Sequence, residues 1–339
     1  MPSRRAFQFG YALGLFLFLF LSRLSLAQDT NVHIDPKPKT DPAAKTAPNV
    51  PADADASKGR PKTVLVDVDL VLVNVTVTDD WNRIVTGLDK ENFSILEGNE
   101  LQLVRHFSSE DAPVSVGVIF DMSGSMSGDK VEKAREAVIE FMKTANPQDE
   151  FFMITFSDRP ELIADFTRSI EDVQGKLVFT VPGGRTALLD AIYMGVSKMK
   201  DAHNSKKALL IISDGGDNRS RYTQKEIKSM VREADVQIYA IGIFTPNPAQ
   251  PEEIAGPALL SEVTEVTGGR MFTVNNTNEL ADVASKIGIE LRNQYVLGYR
   301  PSNKTRDGQW RKIRVRIKAP KGLPHLNVYS KTGYYAPSQ

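Results

Sequence analysis

Between residues 113 and 293, short apolar runs alternate with stretches of helical periodicity. Residues 114–120 (VSVGVIF), 151–156, 162–166, 208–212, 236–243 and 271–274 are short runs rich in β-branched and aromatic side chains, and each predicts a strand. Residues 129–144, 186–199, 224–234, 252–267 and 278–291 repeat their apolar positions at the spacing of one helix face. Strands alternating with helices predict an α/β domain: a doubly wound, mostly parallel sheet with helices on both faces. Such sheets bind ligands in the loops beyond the carboxyl ends of their strands.

The flanks keep a two-residue rhythm instead. Val64, Val66, Val68, Leu70, Leu72, Val75 and Val77 alternate with polar positions such as Asp67, Asp69 and Asn74, and runs at 92–96 and 101–107 follow a turn at Asp79-Asp80. Downstream, 294–299, 312–318 and 326–329 read as strands, with Ile313, Val315 and Ile317 on one face. Neither flank has enough strands to close a sheet alone. Residues 63–112 and 294–337 are therefore expected to pair into a small β-sandwich-like domain that the 113–293 domain interrupts.

The first residues carry a different signal. Arg4 and Arg5 precede an apolar run at 9–21 that is shorter than the about 20 residues a membrane span needs. Ser25-Leu26-Ala27 then supplies small residues for a signal peptidase, so 1–27 reads as an export signal cleaved after Ala27. An uncleaved anchor is the alternative. Ser3-Arg4-Arg5-Ala6-Phe7 suits the twin-arginine route and the apolar core suits the general secretory one, so the pathway stays open. Cleavage would leave no membrane span and place the chain in the periplasm, on the outer surface or in the medium. Residues 28–62, rich in Pro, Ala, Asp and Lys, hold too few large apolar side chains to offset the entropy of ordering, which predicts a flexible tether.

Composition narrows the chemistry. The chain has 42 basic and 42 acidic side chains, and loss of Arg4, Arg5 and Arg23 with the signal leaves 39 against 42. No basic domain is offered to nucleic acid. The absence of cysteine excludes disulfides, thiol catalysis and thiolate-held zinc. The four histidines (His33, His106, His203, His325) are scattered, which disfavours an imidazole cage.

Three loops of the α/β segment carry oxygen donors: Asp121-Met122-Ser123-Gly124-Ser125, Gly183-Gly184-Arg185-Thr186, and Ser213-Asp214-Gly215-Gly216-Asp217. In a doubly wound sheet all three would meet at one rim. Two carboxylates and three hydroxyls form a hard, all-oxygen donor set suited to octahedral Mg²⁺ or Mn²⁺ with water completing the shell. Asp190 reads as helix dressing, and nothing in the pattern requires Asp158 or Asp217. Arg185 could add its charge to the pull on an anionic ligand or pair with Asp217.

Asp121-x-Ser123-x-Ser125, Thr186 after Gly-Gly-x, and Asp214 in Ser-Asp-Gly resemble the metal-ion-dependent adhesion site (MIDAS) of von Willebrand factor type A domains. The flanking strands and the Lys331-Thr332-Gly333-Tyr334-Tyr335-Ala336-Pro337 end further resemble a related family found in Acidobacteria. The resemblance implies a Rossmann-like domain in which Ser123 and Ser125 bind the cation directly, Thr186 directly or through water, and Asp121 and Asp214 mostly through water. It also implies an open coordination position for an Asp or Glu of a protein partner. The function expected is therefore an exported, cation-dependent adhesion module in the bacterial envelope or beyond it. Recruitment of envelope subunits as an assembly scaffold is the alternative. A metal-dependent hydrolase is disfavoured, because no histidine lies near the loops and Gly-x-Ser-x-Gly, His-Glu-x-x-His and Gly-Lys-Ser/Thr are all absent. The chain is accordingly expected not to be an enzyme.

Overall fold

A computed structural model describes residues 31–33, 70–244, 248, 250–323 and 325–338. The expected export signal, the start of the first flanking strand and nearly all of the expected tether lie outside these residues. The exception is Asn31–His33, a short strand (β1) paired in parallel with β3 (Ile84–Thr86).

The amino-terminal flank also forms β2 (Val71–Asp79), β4 (Phe93–Glu97), β5 (Glu100–Gln102) and β6 (Val104–Ser108). Then come β7 (Val114–Asp121), α1 (Asp129–Lys143), β8 (Glu150–Phe156), β9 (Pro160–Thr167), α2 (Ile170–Leu177) and α3 (Leu188–Lys198). They are followed by β10 (Lys206–Ser213), α4 (Gln224–Glu233), β11 (Gln237–Gly242), α5 (Pro251–Thr267), β12 (Met271–Thr273) and α6 (Leu280–Arg292). The chain closes with β13 (Tyr295–Tyr299), β14 (Trp310–Ile317), β15 (Leu326–Ser330) and β16 (Gly333–Tyr335). Among the described residues no helix is long and apolar enough to cross a membrane.

The α/β sheet runs β12-β11-β10-β7-β8-β9, parallel except where β9 turns back against β8. Its central strands are buried on both faces, which is why they read as unbroken apolar runs. On β7, Val114, Val116, Val118 and Phe120 join the core beneath α1 and α6, while Ile119 joins the core beneath α3, α4 and α5. The same alternation places Leu210 and Ile212 of β10 on the first face and Leu209 and Ile211 on the second. Gly117 makes room for a large neighbour: a Cβ there would lie 2.2 Å from Phe152 Cζ.

The flanks pair with each other across the insertion. β13 lies antiparallel between β2 and β6, β15 pairs β2, and a second sheet runs β16-β14-β4-β5. Val73, Val75 and Val77 of the first sheet share one core with Ile95, Ile313 and Val315 of the second. Arg270 joins the two parts: it donates to the buried Glu290 at 3.0 Å and to Asn82, and its guanidinium lies 4.2 Å from the Tyr329 ring.

Candidate metal centre

β7 and β10 lie side by side, and the chain leaves β7 toward β8 but β10 toward β11, in opposite directions. The loops after β7 and β10 therefore splay around one crevice at the carboxyl end of the sheet, the place where such folds hold ligands. Asp121 ends β7 and Asp214 directly follows β10.

Asp121 is fully buried, and both its oxygens are engaged: Oδ1 accepts from the Ser123 amide at 2.8 Å and Oδ2 from the Ser213 hydroxyl at 2.6 Å. Ser213 in turn accepts from the Gly215 amide at 2.9 Å, which locks the two loops together. Burial and the neighbouring Asp214 charge push the Asp121 carboxyl up to about 7. The Lys130 ammonium, 3.4 Å from Asp214, is the cation α1 supplies to this pair. Ser123 and Ser125 share a hydrogen bond at 3.0 Å, the first buried and the second exposed, so their hydroxyls form the mouth of the crevice.

The Thr186 loop is stitched to both others. Gly124 N donates to Gly184 O at 3.1 Å and Gly183 N to Met122 O at 2.8 Å. Thr186 N donates to Asn218 Oδ1 and Asn218 N to Thr186 O, each at 3.0 Å. Gly184 has φ of 82°, and a Cβ there would lie 2.6 Å from Asp158 Oδ2, so glycine is required on both counts. The structure thus joins Asp121, Ser123 and Ser125 through hydrogen bonds, sets Asp214 beside Asp121, and places Thr186 in the loop tied to both sides.

Several residues that the motif left aside hold this shape. Asp158 accepts from the Arg185 amide at 3.1 Å. Asp217 takes the Leu189 amide at 2.9 Å and the Ser220 hydroxyl at 2.6 Å, so it is not the partner of Arg185, whose guanidinium pairs with no carboxylate among the described residues. Asp190 is a buried clamp rather than helix dressing, accepting from Arg221 N at 2.8 Å and Tyr222 N at 3.2 Å. Short polar side chains beside glycines were the available signal for these roles, but it does not separate a loop clamp from an ordinary turn.

Among the described residues no three His, Cys, Asp or Glu side chains converge as a metal cluster. Two carboxylates with hydroxyl neighbours are what remains. That donor chemistry fits a hard divalent cation, and the partly unbalanced Asp121–Asp214 pair supplies the negative charge to attract one.

Residues 116–216 match the von Willebrand factor type A domain family. Inter-alpha-trypsin inhibitor heavy chain H4 from Homo sapiens is 28% identical over 160 residues, covering 41% of this chain and 17% of that protein. The chain therefore spans only 17% of the length of that relative. An uncharacterized protein from Borreliella burgdorferi is 22% identical over 188 residues, covering 49% of this chain and 55% of that one. Among solved structures, proximal thread matrix protein 1 from the mussel byssus, with a zinc-occupied MIDAS motif, aligns with a TM-score of 0.47 at 16% identity, covering 57% of this chain and 49% of that chain. The matched residues run from β7 through the loop after β10, so the stretch of the doubly wound part that carries all three loops is the stretch similar to a von Willebrand factor type A domain.

Proposed function

We propose that this domain is a protein-binding module whose grip depends on a divalent cation, Mg²⁺ or Mn²⁺, held by Asp121, Ser123, Ser125, Thr186 and Asp214. A cation bound largely through neutral hydroxyls keeps its electrophilic character and supplies a strong site for one more anionic oxygen. An Asp or Glu of a partner protein is that oxygen's source. Asp121 and Asp214 orient bound water and the serines, and the stitched loops keep the donors in place before the partner arrives. The chain is exported, with 1–27 as its signal, and meets its partner outside the cytoplasm. Catalysis has no part in this reading.

The observation that carries it is the buried Asp121 beside Asp214, two carboxylates with Lys130 paired to the second, opening onto paired serine hydroxyls at the switch point of the sheet. Calorimetric titration of Mg²⁺ and Mn²⁺ into the purified chain tests it, beside an Asp121→Ala/Ser123→Ala variant. Saturable binding to the parent that the variant loses is the expected result. Equal heats from the two proteins, or none from either, would refute the metal site.

A further inference from the structure

The segment joining α2 to the Gly183-Gly184 turn holds three large apolar side chains in water: Val178 is 64% exposed, Phe179 85% and Val181 85%. Its backbone is nevertheless tied down. Arg135 of α1 donates to Thr180 O, the Thr180 hydroxyl donates to Leu177 O at 2.7 Å, and Gly183 N donates to Met122 O at 2.8 Å. Ordered, contiguous apolar surface in water marks a contact site more often than scattered single residues do. This shelf runs straight into the loop that carries Thr186.

Charge points the same way. Arg159, Arg185 and Arg219 stand exposed in the loops around the crevice, and among the described residues none of the three pairs with a carboxylate. Unpaired surface cations draw an acidic segment in and orient it.

We propose that the partner binds through an extended segment in which the metal-seeking Asp or Glu lies within about five residues of a large apolar side chain, and that this side chain covers Phe179 and Val181. The proposal rests on the cation site above. Val181 and Thr186 are five positions apart, a distance that even a fully extended chain bridges in about 17 Å, so a segment of similar length reaches both. Arg185 lies between the two contacts and faces the acidic side chain or a neighbour of it. Selectivity then comes from the shelf, while the cation supplies a contact that any exposed carboxylate could make.

A displayed library of random twelve-residue peptides, each with one fixed Asp, tests this against the purified chain in Mn²⁺. Three proteins are compared: the parent, Phe179→Ser/Val181→Ser, and Asp121→Ala/Ser123→Ala. The parent is expected to enrich peptides with Leu, Ile, Phe or Trp within five positions of the Asp. The best of these should bind the shelf variant about tenfold more weakly, the loss of roughly one hot-spot contact, while that variant keeps its Mn²⁺ affinity. Enrichment of acidic peptides with no apolar bias, or of none at all by a parent that binds Mn²⁺, would overturn the shelf and leave the metal site standing. Apolar peptides that bind equally well to the Asp121→Ala/Ser123→Ala variant would overturn the coupling between the two. A parent that binds no Mn²⁺ would overturn both readings together.

Discussion

Asp121 shows how much of the site depends on one side chain. Its two oxygens hold Ser123 and Ser213, so it fixes the serine mouth and joins the ends of β7 and β10. It does so at the cost of a buried carboxylate beside Asp214, and burial leads that cost. An Asp121→Asn variant keeps the shape and sheds the charge. Without cation it should unfold at a temperature no lower than the parent. With Mn²⁺ at a hundredfold excess over the dissociation constant, only the parent should gain stability, by about 2.7 kcal/mol. Thermal scans with and without Mn²⁺ check both halves. The five residues proposed as donors were legible in the sequence as a motif of type and spacing. The clamps Asp158, Asp190 and Asp217 were not, since a carboxylate that accepts from backbone amides and one that faces only water look alike until those amides are placed.

Among the elements, legibility followed length and two-sided burial. Strands such as β7, β8 and β10 announce themselves as apolar runs because neither face meets water. The helices α1, α4 and α6 each bury one stripe, and their periodicity survives over nearly three turns in α4 and more than three in the other two. By contrast α2 escaped notice: it has eight residues, buries only Val173 and Leu177, and starts on a Ser169 cap that also reads as a turn. β3 and β16, at three residues each, are set by their neighbours rather than by their own composition. The sheet itself is packed without slack around Gly117, where a methyl group would meet Phe152 at 2.2 Å and Leu209 at 2.6 Å. Gly117→Ala should cost about 1–3 kcal/mol in urea unfolding, the usual penalty of overpacking. Adding Phe152→Leu to it should recover part of the loss, which a purely local backbone effect would not allow.

In the whole molecule, the pole opposite the crevice is held by charges taken into the interior. Lys206 opens β10 and donates to Leu291 O at the end of α6, near Asp149, Asp111 and Arg292. Burial, against partial help from those carboxylates, brings its ammonium down to about 8. The sign follows directly. Between pH 8 and 10.5 the unfolded chain still holds a proton that the folded one has released, so stability rises with pH across that window. Below pH 8 the burial cost is fully in force, on the order of 3 kcal/mol. Lys206→Met removes this dependence. Its stability relative to the parent should fall by about 2–3 kcal/mol between pH 7 and pH 10, measured as urea midpoints at the two values. That the flanks would pair across the insertion was foreseeable from strand counting. The Arg270 bridge between them was not, because Asn82, Glu290 and Tyr329 are far apart in sequence and none belongs to a recognisable pattern.

The place of β13 in its sheet also sets an order of events during synthesis. This strand lies between β2 and β6, yet it is made only after the whole inserted α/β domain has emerged, and the contact between Thr76 and Gln294 spans 218 residues. Closing so long a loop through an unstructured chain is entropically costly and slow. A domain that folds first shortens it, because its ends, β7 and α6, lead directly into the strands that must meet. The inserted domain thus acts as the folding template of its host: until it has formed, the edges of β2 and β6 stay unpaired and open to wrong partners.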